Sequence, residues 1–159
     1  MTEIYKNLFI GNDKDCMAHD FATVHACKTC HKKSLGYTNA LPQTHPKYLV
    51  NENGTHIYLN MVDMLKEFSA EFTNPMFKHA IDFIHHHIKD RKILIHCNQG
   101  VSRAPSVGLV YLASIGELPN QSFDAAAMPF MKLYSDYIPG NGILLYLRRN
   151  WDYLMRMTS

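Results

Sequence analysis

Ile93-Leu94-Ile95-His96-Cys97-Asn98-Gln99-Gly100-Val101-Ser102-Arg103 decides how this chain is read. An apolar, mostly β-branched run ends in His-Cys, and an arginine follows the cysteine after five residues. The polar Lys89-Asp90-Arg91-Lys92 precedes it, so Ile93 to Ile95 is predicted as a short buried strand. Beyond Arg103, Val107, Val110 and Tyr111 have the i, i+3, i+4 spacing of one buried helix face. Pro105 suits a first helical turn, where its missing N–H costs nothing, while Gly108 weakens the pattern. The local order expected is strand, tight turn, helix N-terminus.

A turn of this kind aims several backbone N–H groups into one concavity, which is a ready anion site. Gly100 permits the φ > 0 or close approach that the curl needs. Arg103 adds a planar fork able to grip two phosphate oxygens together. Cys97 lies where these donors converge. A free cysteine has a pKa of about 8.5 and catalytic ones fall to roughly 3.5–7.5. A roughly thousandfold easier ionisation corresponds to about 4 kcal/mol. A helix end supplies about 0.3–1 kcal/mol, so the amides and the arginine have to act together. The chemistry expected is nucleophilic attack of the Cys97 thiolate on phosphorus, with phosphate bound by the backbone of Asn98, Gln99, Gly100, Val101, Ser102 and Arg103. The competing reading is a buried core thiol beside a surface cation.

His96-Cys97-Asn98-Gln99-Gly100-Val101-Ser102-Arg103 resembles the signature loop of the cysteine-dependent protein tyrosine phosphatases, in the order and length of the dual-specificity branch. Asn7-Leu8-Phe9-Ile10-Gly11-Asn12 is similar to the opening strand and turn of those domains. Pro139-Gly140-Asn141-Gly142, followed by Leu144 and Leu147, loosely resembles their Pro-Asn-x-Gly approach to the last helix. Val24-His25-Ala26-Cys27-Lys28 through Leu35-Gly36-Tyr37 resembles small bacterial and phage-type members more weakly. The resemblance implies a cysteinyl-phosphate intermediate and an aspartate, upstream, that protonates the leaving oxygen and then activates water. The matching position is Asp63 in Tyr58-Leu59-Asn60-Met61-Val62-Asp63, with a turn-capping role as its competitor and Glu67 and Asp82 as rivals. His96 is expected to set the loop and the thiolate. One departure stands out. The family has Ser or Thr after the arginine, where the hydroxyl donates to the sulfur as the intermediate breaks down. This chain has Ala104, and Ser102 and Ser106 are the nearby hydroxyls.

The chain has 159 residues, expected to form one domain over 1–159. Hydrophobic residues make up 47% and charged residues 19%, which are globular values. A formal charge of +2 suits anionic substrates but is too small to argue for nucleic acid. No apolar run reaches membrane-spanning length, and the N-terminus has neither a signal-peptide pattern nor a myristoylation glycine. A reducing cytoplasm is therefore the expected location, as a thiolate enzyme requires. Strands are expected at Leu8–Ile10, Ala22–Ala26, Ile57–Met61 and Leu94–His96. Helices are expected at Met76–Ile88, Pro105–Ser114, Gln121–Leu133 and Ile143–Met155. Their alternation predicts an α/β domain, three layers with a central, mostly parallel sheet of about four to five strands flanked by helices, as the resemblance also implies. Lys32 to Gly54 reads as a long surface excursion.

Several other signals compete for attention. Cys27-Lys28-Thr29-Cys30-His31 matches the haem-attachment pattern, and Cys27 and Cys30 with His19, His25 or His31 offer zinc ligands or a redox pair. The reading adopted is a strand-end turn with unligated thiols. His85-His86-His87 splays around a helix and cannot converge on one ion. Met128, Phe130 and Met131 read as core contacts, with Pro129 kinking or ending a helix, and Leu144, Leu145 and Tyr146 as the packing face of the last one. Arg148-Arg149 reads as a solvated face. The function expected is hydrolysis of phosphotyrosine in proteins, with phosphoserine and phosphothreonine as further substrates and no metal or cofactor required. The alternatives are a phosphoinositide or RNA 5′-triphosphate phosphatase, a phosphate-binding module with little turnover, and a haem or thiol redox protein.

Overall fold

The buried run predicted at Ile93–Ile95 is the middle of the molecule. In the computed structural model, which describes residues 1–158, it forms strand β6, Lys92–His96, with Ile93, Leu94 and Ile95 wholly inaccessible. A strand buried on both faces carries continuous apolar side chains, and such strands sit in parallel sheets. β6 lies between β2 (Leu8–Gly11) and β3 (Phe21–His25), parallel to both, and β5 (His56–Leu59) pairs parallel with β3. Two antiparallel edge strands, β1 (Thr2–Tyr5) and β4 (Val50–Asn53), complete the order β1-β2-β6-β3-β5-β4. The sheet therefore has six strands rather than four to five. Both unforeseen strands are four-residue edges with a single buried residue each, Ile4 and Asn51, too little for an alternating pattern to show.

Parallel strands need crossovers, and helices supply them. Helix α1 (Lys28–Leu35) follows β3 and packs on β5 and β4. Helix α2 (Ala70–His87) links β5 to β6, and α3 (Arg103–Ser114) leaves β6. Helices α4 (Phe123–Leu133) and α5 (Asn141–Thr158) pack against α3, and α5 also against α2. The sequence missed α1, whose only buried side chain is His31, so it carries no apolar stripe. The excursion expected over residues 32–54 is correspondingly shorter: its start is helix and its end is β4. What remains is held down by His31, whose ring nitrogens pair with the Tyr37 hydroxyl at 2.6 Å and the Lys47 carbonyl at 2.8 Å.

Two side-chain expectations fail in α4. Met128 and Met131 are 73% and 43% exposed, whereas Phe130 is fully buried. Pro129 does not end the helix, which continues to Leu133. In α5 the packing face is Ile143, Tyr146, Leu147, Trp151 and Leu154; Leu144 and Leu145 are only half-buried.

Gly108, the flaw in the α3 pattern, has a packing reason. A Cβ there would lie 3.0 Å from the terminal methyls of both Ile4 and Ile10, so glycine lets α3 press close on β1 and β2. Gly108→Ala gains roughly 1 kcal/mol of helix propensity and incurs about 1–3 kcal/mol of overpacking. A net loss of stability is expected in urea unfolding; a more stable variant would show that α3 does not need this approach.

Candidate active site

The parallel register carries the C-terminal ends of β2, β6 and β3 to one edge of the sheet, with Gly11 beside His96 and His96 beside His25. In open sheets of this type, ligands bind outside the carboxyl ends of the strands. Residues 97–102 curl between that edge and the start of α3. Gly100 adopts φ 75°, the left-handed region that favours glycine. A Cβ on it would meet the Gly11 carbonyl oxygen at 2.8 Å, so a side chain is barred twice over. The loop is also held from outside. The Tyr134 hydroxyl donates to the Gly100 carbonyl at 2.6 Å, Asp13 N–H to the Asn98 carbonyl at 3.1 Å, and Ile138 N–H to the Val101 carbonyl at 2.8 Å.

Cys97 is buried at the base of this curl, and the Ala104 backbone N–H, in the first turn of α3, donates to its Sγ at 3.4 Å. Arg103 is buried too. Its Nη1 donates to the Met61 carbonyl at 3.0 Å, while its buried Nε–H has no protein acceptor among the described residues. The guanidinium is thus clamped to the segment just past β5, with its buried Nε–H left to point at something else. Asp63, exposed two residues beyond Met61, lines the same cleft of about 270 Å³ as Cys97, Asn98, Gln99, Val101, Ser102 and Arg103.

The segment carrying Asp63 is tied to the start of α5. Gly142 N–H donates to the Met64 carbonyl at 3.0 Å, and Phe68 N–H to the Gly142 carbonyl at 3.2 Å. A Cβ on Gly142 would collide with the Met64 and Lys66 carbonyls, and one on Gly140 would lie 2.5 Å from Asp63 Oδ1. The rival carboxylates point elsewhere. Glu67 pairs with Arg149 at 3.2 Å, and Asp82 sits on the exposed face of α2 with Lys78 at 3.0 Å. The two candidate stand-in hydroxyls are also engaged. Ser102 Oγ accepts from Gly140 N–H at 2.9 Å, and Ser106 Oγ donates to the Ser102 carbonyl at 2.7 Å and meets the Tyr137 hydroxyl at 2.8 Å.

Behind the curl lies a cluster that only the β3–β6 register reveals. His25 Nδ1 and His96 Nε2 are 2.6 Å apart, and Cys30 Sγ is 3.9 Å from the same His96 nitrogen. Burial holds the His25 imidazole neutral, with a pKa lowered to about 3, and the burial of His96 lowers its pKa as well. The remaining nitrogens have partners: His25 Nε2 meets His56 Nδ1 at 3.0 Å and His96 Nδ1 the Cys97 carbonyl at 3.4 Å. Of the histidines grouped with Cys27 and Cys30 by sequence, only His25 is here; His19 is exposed and His31 is occupied by Tyr37 and Lys47. That occupation also leaves His31 no free nitrogen for haem iron. Cys27 is the N-cap of α1 rather than part of a plain strand-end turn.

A family model described as the dual specificity phosphatase catalytic domain matches residues 19–137 of the chain. The chain belongs to the dual-specificity phosphatase family. It is a cysteine-dependent phosphatase of α/β architecture. Solved structures share the fold at low identity. A leucine rich repeat and phosphatase domain containing protein from Entamoeba histolytica is 18% identical over 99% of this chain and 94% of that one, with a TM-score of 0.67. The human tyrosine phosphatase-like serine/threonine/tyrosine-interacting protein is also 18% identical, covers 96% of both chains and has a TM-score of 0.66. PTPMT1, solved in complex with PI(5)P, is 13% identical over 99% of this chain and 97% of that one, with a TM-score of 0.62. No helix among the described residues is long and apolar enough to cross a membrane.

Gly100→Ala combines left-handed strain with the clash at Gly11. It is expected to lower stability by about 1–3 kcal/mol and to weaken inhibition by orthovanadate by at least about tenfold. Denaturation midpoints and vanadate titration of aryl phosphate hydrolysis measure the two effects; unchanged vanadate affinity would mean the curl tolerates a Cβ.

Proposed function

We propose that this phosphatase hydrolyses phosphotyrosine in proteins, and phosphoserine and phosphothreonine more slowly, through a phosphate ester on Cys97. The observation that carries the proposal is the convergence of Cys97, the Arg103 guanidinium and Asp63 on one cleft. The Cys97 thiolate attacks phosphorus in line. Arg103, oriented by Met61, presents its remaining N–H groups to the equatorial oxygens together with the backbone amides of residues 98–103. Asp63 protonates the departing oxygen and then takes a proton from the water that attacks the cysteinyl phosphate. His96 does not exchange protons with substrate. Its ring lies behind the loop and supports the Cys97 carbonyl.

Apolar side chains favour an aromatic ester. Val62 and Met64, which flank Asp63, are each 46% exposed, and Ile138, bonded through its backbone to Val101, is 70% exposed. These suit the ring of a phosphotyrosine better than a solvated inositol. The neutral Asn98, Gln99, Val101 and Ser102 likewise offer no cation to further headgroup phosphates. A phosphopeptide panel run beside phosphoinositide micelles and a 5′-triphosphorylated RNA tests the substrate class. Faster release of phosphate from either of the latter two would overturn the protein assignment.

Two variants test the roles. Cys97→Ser is expected to abolish turnover. Asp63→Asn is expected to slow hydrolysis of alkyl phosphates by roughly 10²–10⁴-fold and of p-nitrophenyl phosphate far less, since a good leaving group needs little protonation. Equal losses on both would remove Asp63 from the acid role.

Ala104 gives the sulfur a backbone N–H but no hydroxyl, and Ser102 and Ser106 are committed elsewhere. Breakdown of the cysteinyl phosphate is therefore expected to limit turnover. Rapid-quench experiments should show a burst of phenol close to one equivalent per active site, and Ala104→Ser should raise the steady-state rate by about tenfold, the worth of one hydrogen bond of about 1.4 kcal/mol. Linear product formation from the first turnover would contradict this.

A further inference from the structure

The cluster behind the phosphate loop has the composition and layout of a metal centre, and the phosphatase reaction draws only on His96 of it, as a support for the Cys97 carbonyl. His25 Nδ1, Cys30 Sγ and His96 Nε2 all lie within 4.8 Å of one another, contributed by the end of β3, the first turn of α1 and the end of β6. Two imidazoles and a thiol are the ligands that suit zinc. The second observation is independent of composition. A ligating histidine characteristically donates its other ring N–H to a carbonyl, a carboxylate or a water, which fixes the tautomer. His96 does so through the Cys97 carbonyl, and the other nitrogen of His25 is held by the imidazole of His56. The nitrogens facing one another are thus the inner pair, with a single proton between them at 2.6 Å. His25 is further held by the Tyr58 ring, stacked at 4.4 Å.

We propose that His25, Cys30 and His96 bind one Zn²⁺ ion, a structural site beneath the phosphate loop and separate from the reaction. Tetrahedral zinc, with Zn–N of about 2.0–2.1 Å and Zn–S of about 2.3 Å, sets N···N near 3.3 Å and N···S near 3.6 Å. The His25–His96 pair opens by about 0.7 Å, Cys30 closes on His96 by about 0.3 Å, and His25 and Cys30, within 4.8 Å of each other, close to about 3.6 Å. On binding, the Cys30 thiol gives its proton to solvent. His25 moves its proton from Nδ1 to Nε2 and donates to His56 Nδ1, whose own proton shifts to Nε2. His96 keeps its Nδ1–H toward the Cys97 carbonyl. Burial already keeps both imidazoles neutral, the form a metal requires. A water fills the fourth corner. The ion would pin β3 and α1 to the last residue before Cys97.

The test uses protein prepared without a histidine tag, loaded with excess ZnCl₂ and desalted. Elemental analysis is expected to give about one zinc per chain for the wild type and for Cys97→Ser, and none for Cys30→Ser. Cobalt loading should give intense tetrahedral d–d bands and a thiolate-to-cobalt charge-transfer band, both lost in Cys30→Ser. Zinc retained by Cys30→Ser, or lost with Cys97→Ser, overturns the assignment, the latter by moving the ion into the catalytic cleft. Should Cys30→Ser not fold, the wild type decides alone. Iodoacetamide labelling of Cys30, mapped by mass spectrometry, should slow by at least about tenfold with zinc while Cys16 is unaffected. An unchanged Cys30 rate overturns the proposal.

Discussion

The site depends on where one strand is placed. β6 is paired on both sides, by β2 and by β3, in a parallel register that leaves its C-terminal residue level with Gly11 and His25. Nothing in the curl of residues 97–102 could hold its shape alone; it is a short loop with a left-handed glycine and no regular pairing. Its geometry comes from the strand ends on which it rests. Gly11 presents a carbonyl so near Gly100 that only hydrogen fits between them, and the amide of Ala104, in the first turn of α3, faces the sulfur. The apolar burial of Ile93, Leu94 and Ile95 thus sets where a thiol and a guanidinium meet several residues later.

What the sequence disclosed follows from this hierarchy. The β6–loop–α3 unit is local, and each of its rules acts within a few residues: a buried run, a glycine with positive φ, a proline in a first turn. Local rules are legible without coordinates. The edge strands β1 and β4 were not, because each buries one residue and owes its pairing to a neighbour. Helix α1 is silent in the sequence for a related reason: its inward residue is a histidine, which no hydropathy pattern marks as core. Residue type points Met128 and Met131 inward, yet α4 turns them to solvent and buries Phe123, Ala126, Ala127 and Phe130.

The candidate site divides in the same way. Cys97 and Arg103 could be picked out from spacing, whereas the Met61 carbonyl that orients Arg103 could not, since the link joins the segment after β5 to the start of α3, 42 residues away. The same holds for Tyr134, which reaches Gly100 from the end of α4. Of the three histidines that the sequence groups with Cys27 and Cys30, only His25 stands near Cys30. His31 is spent on the chain between α1 and β4, and the nitrogen nearest Cys30 belongs to His96, 66 residues away.

The backbone bonds between Gly142 and the Met64–Phe68 stretch bear on dynamics. A carboxylate on a free-swinging flap spends part of each cycle away from the chemistry, and its return can govern the rate. Here two glycines without room for a methyl fasten that stretch to the first turn of α5, which is itself packed on α2 and α3. Displacing it means lifting a helix terminus, a far stiffer coordinate than rotating a hinge. An acid carried on such a segment trades adaptability for readiness: it is in place before an ester arrives, and solvent viscosity should leave the chemical step untouched.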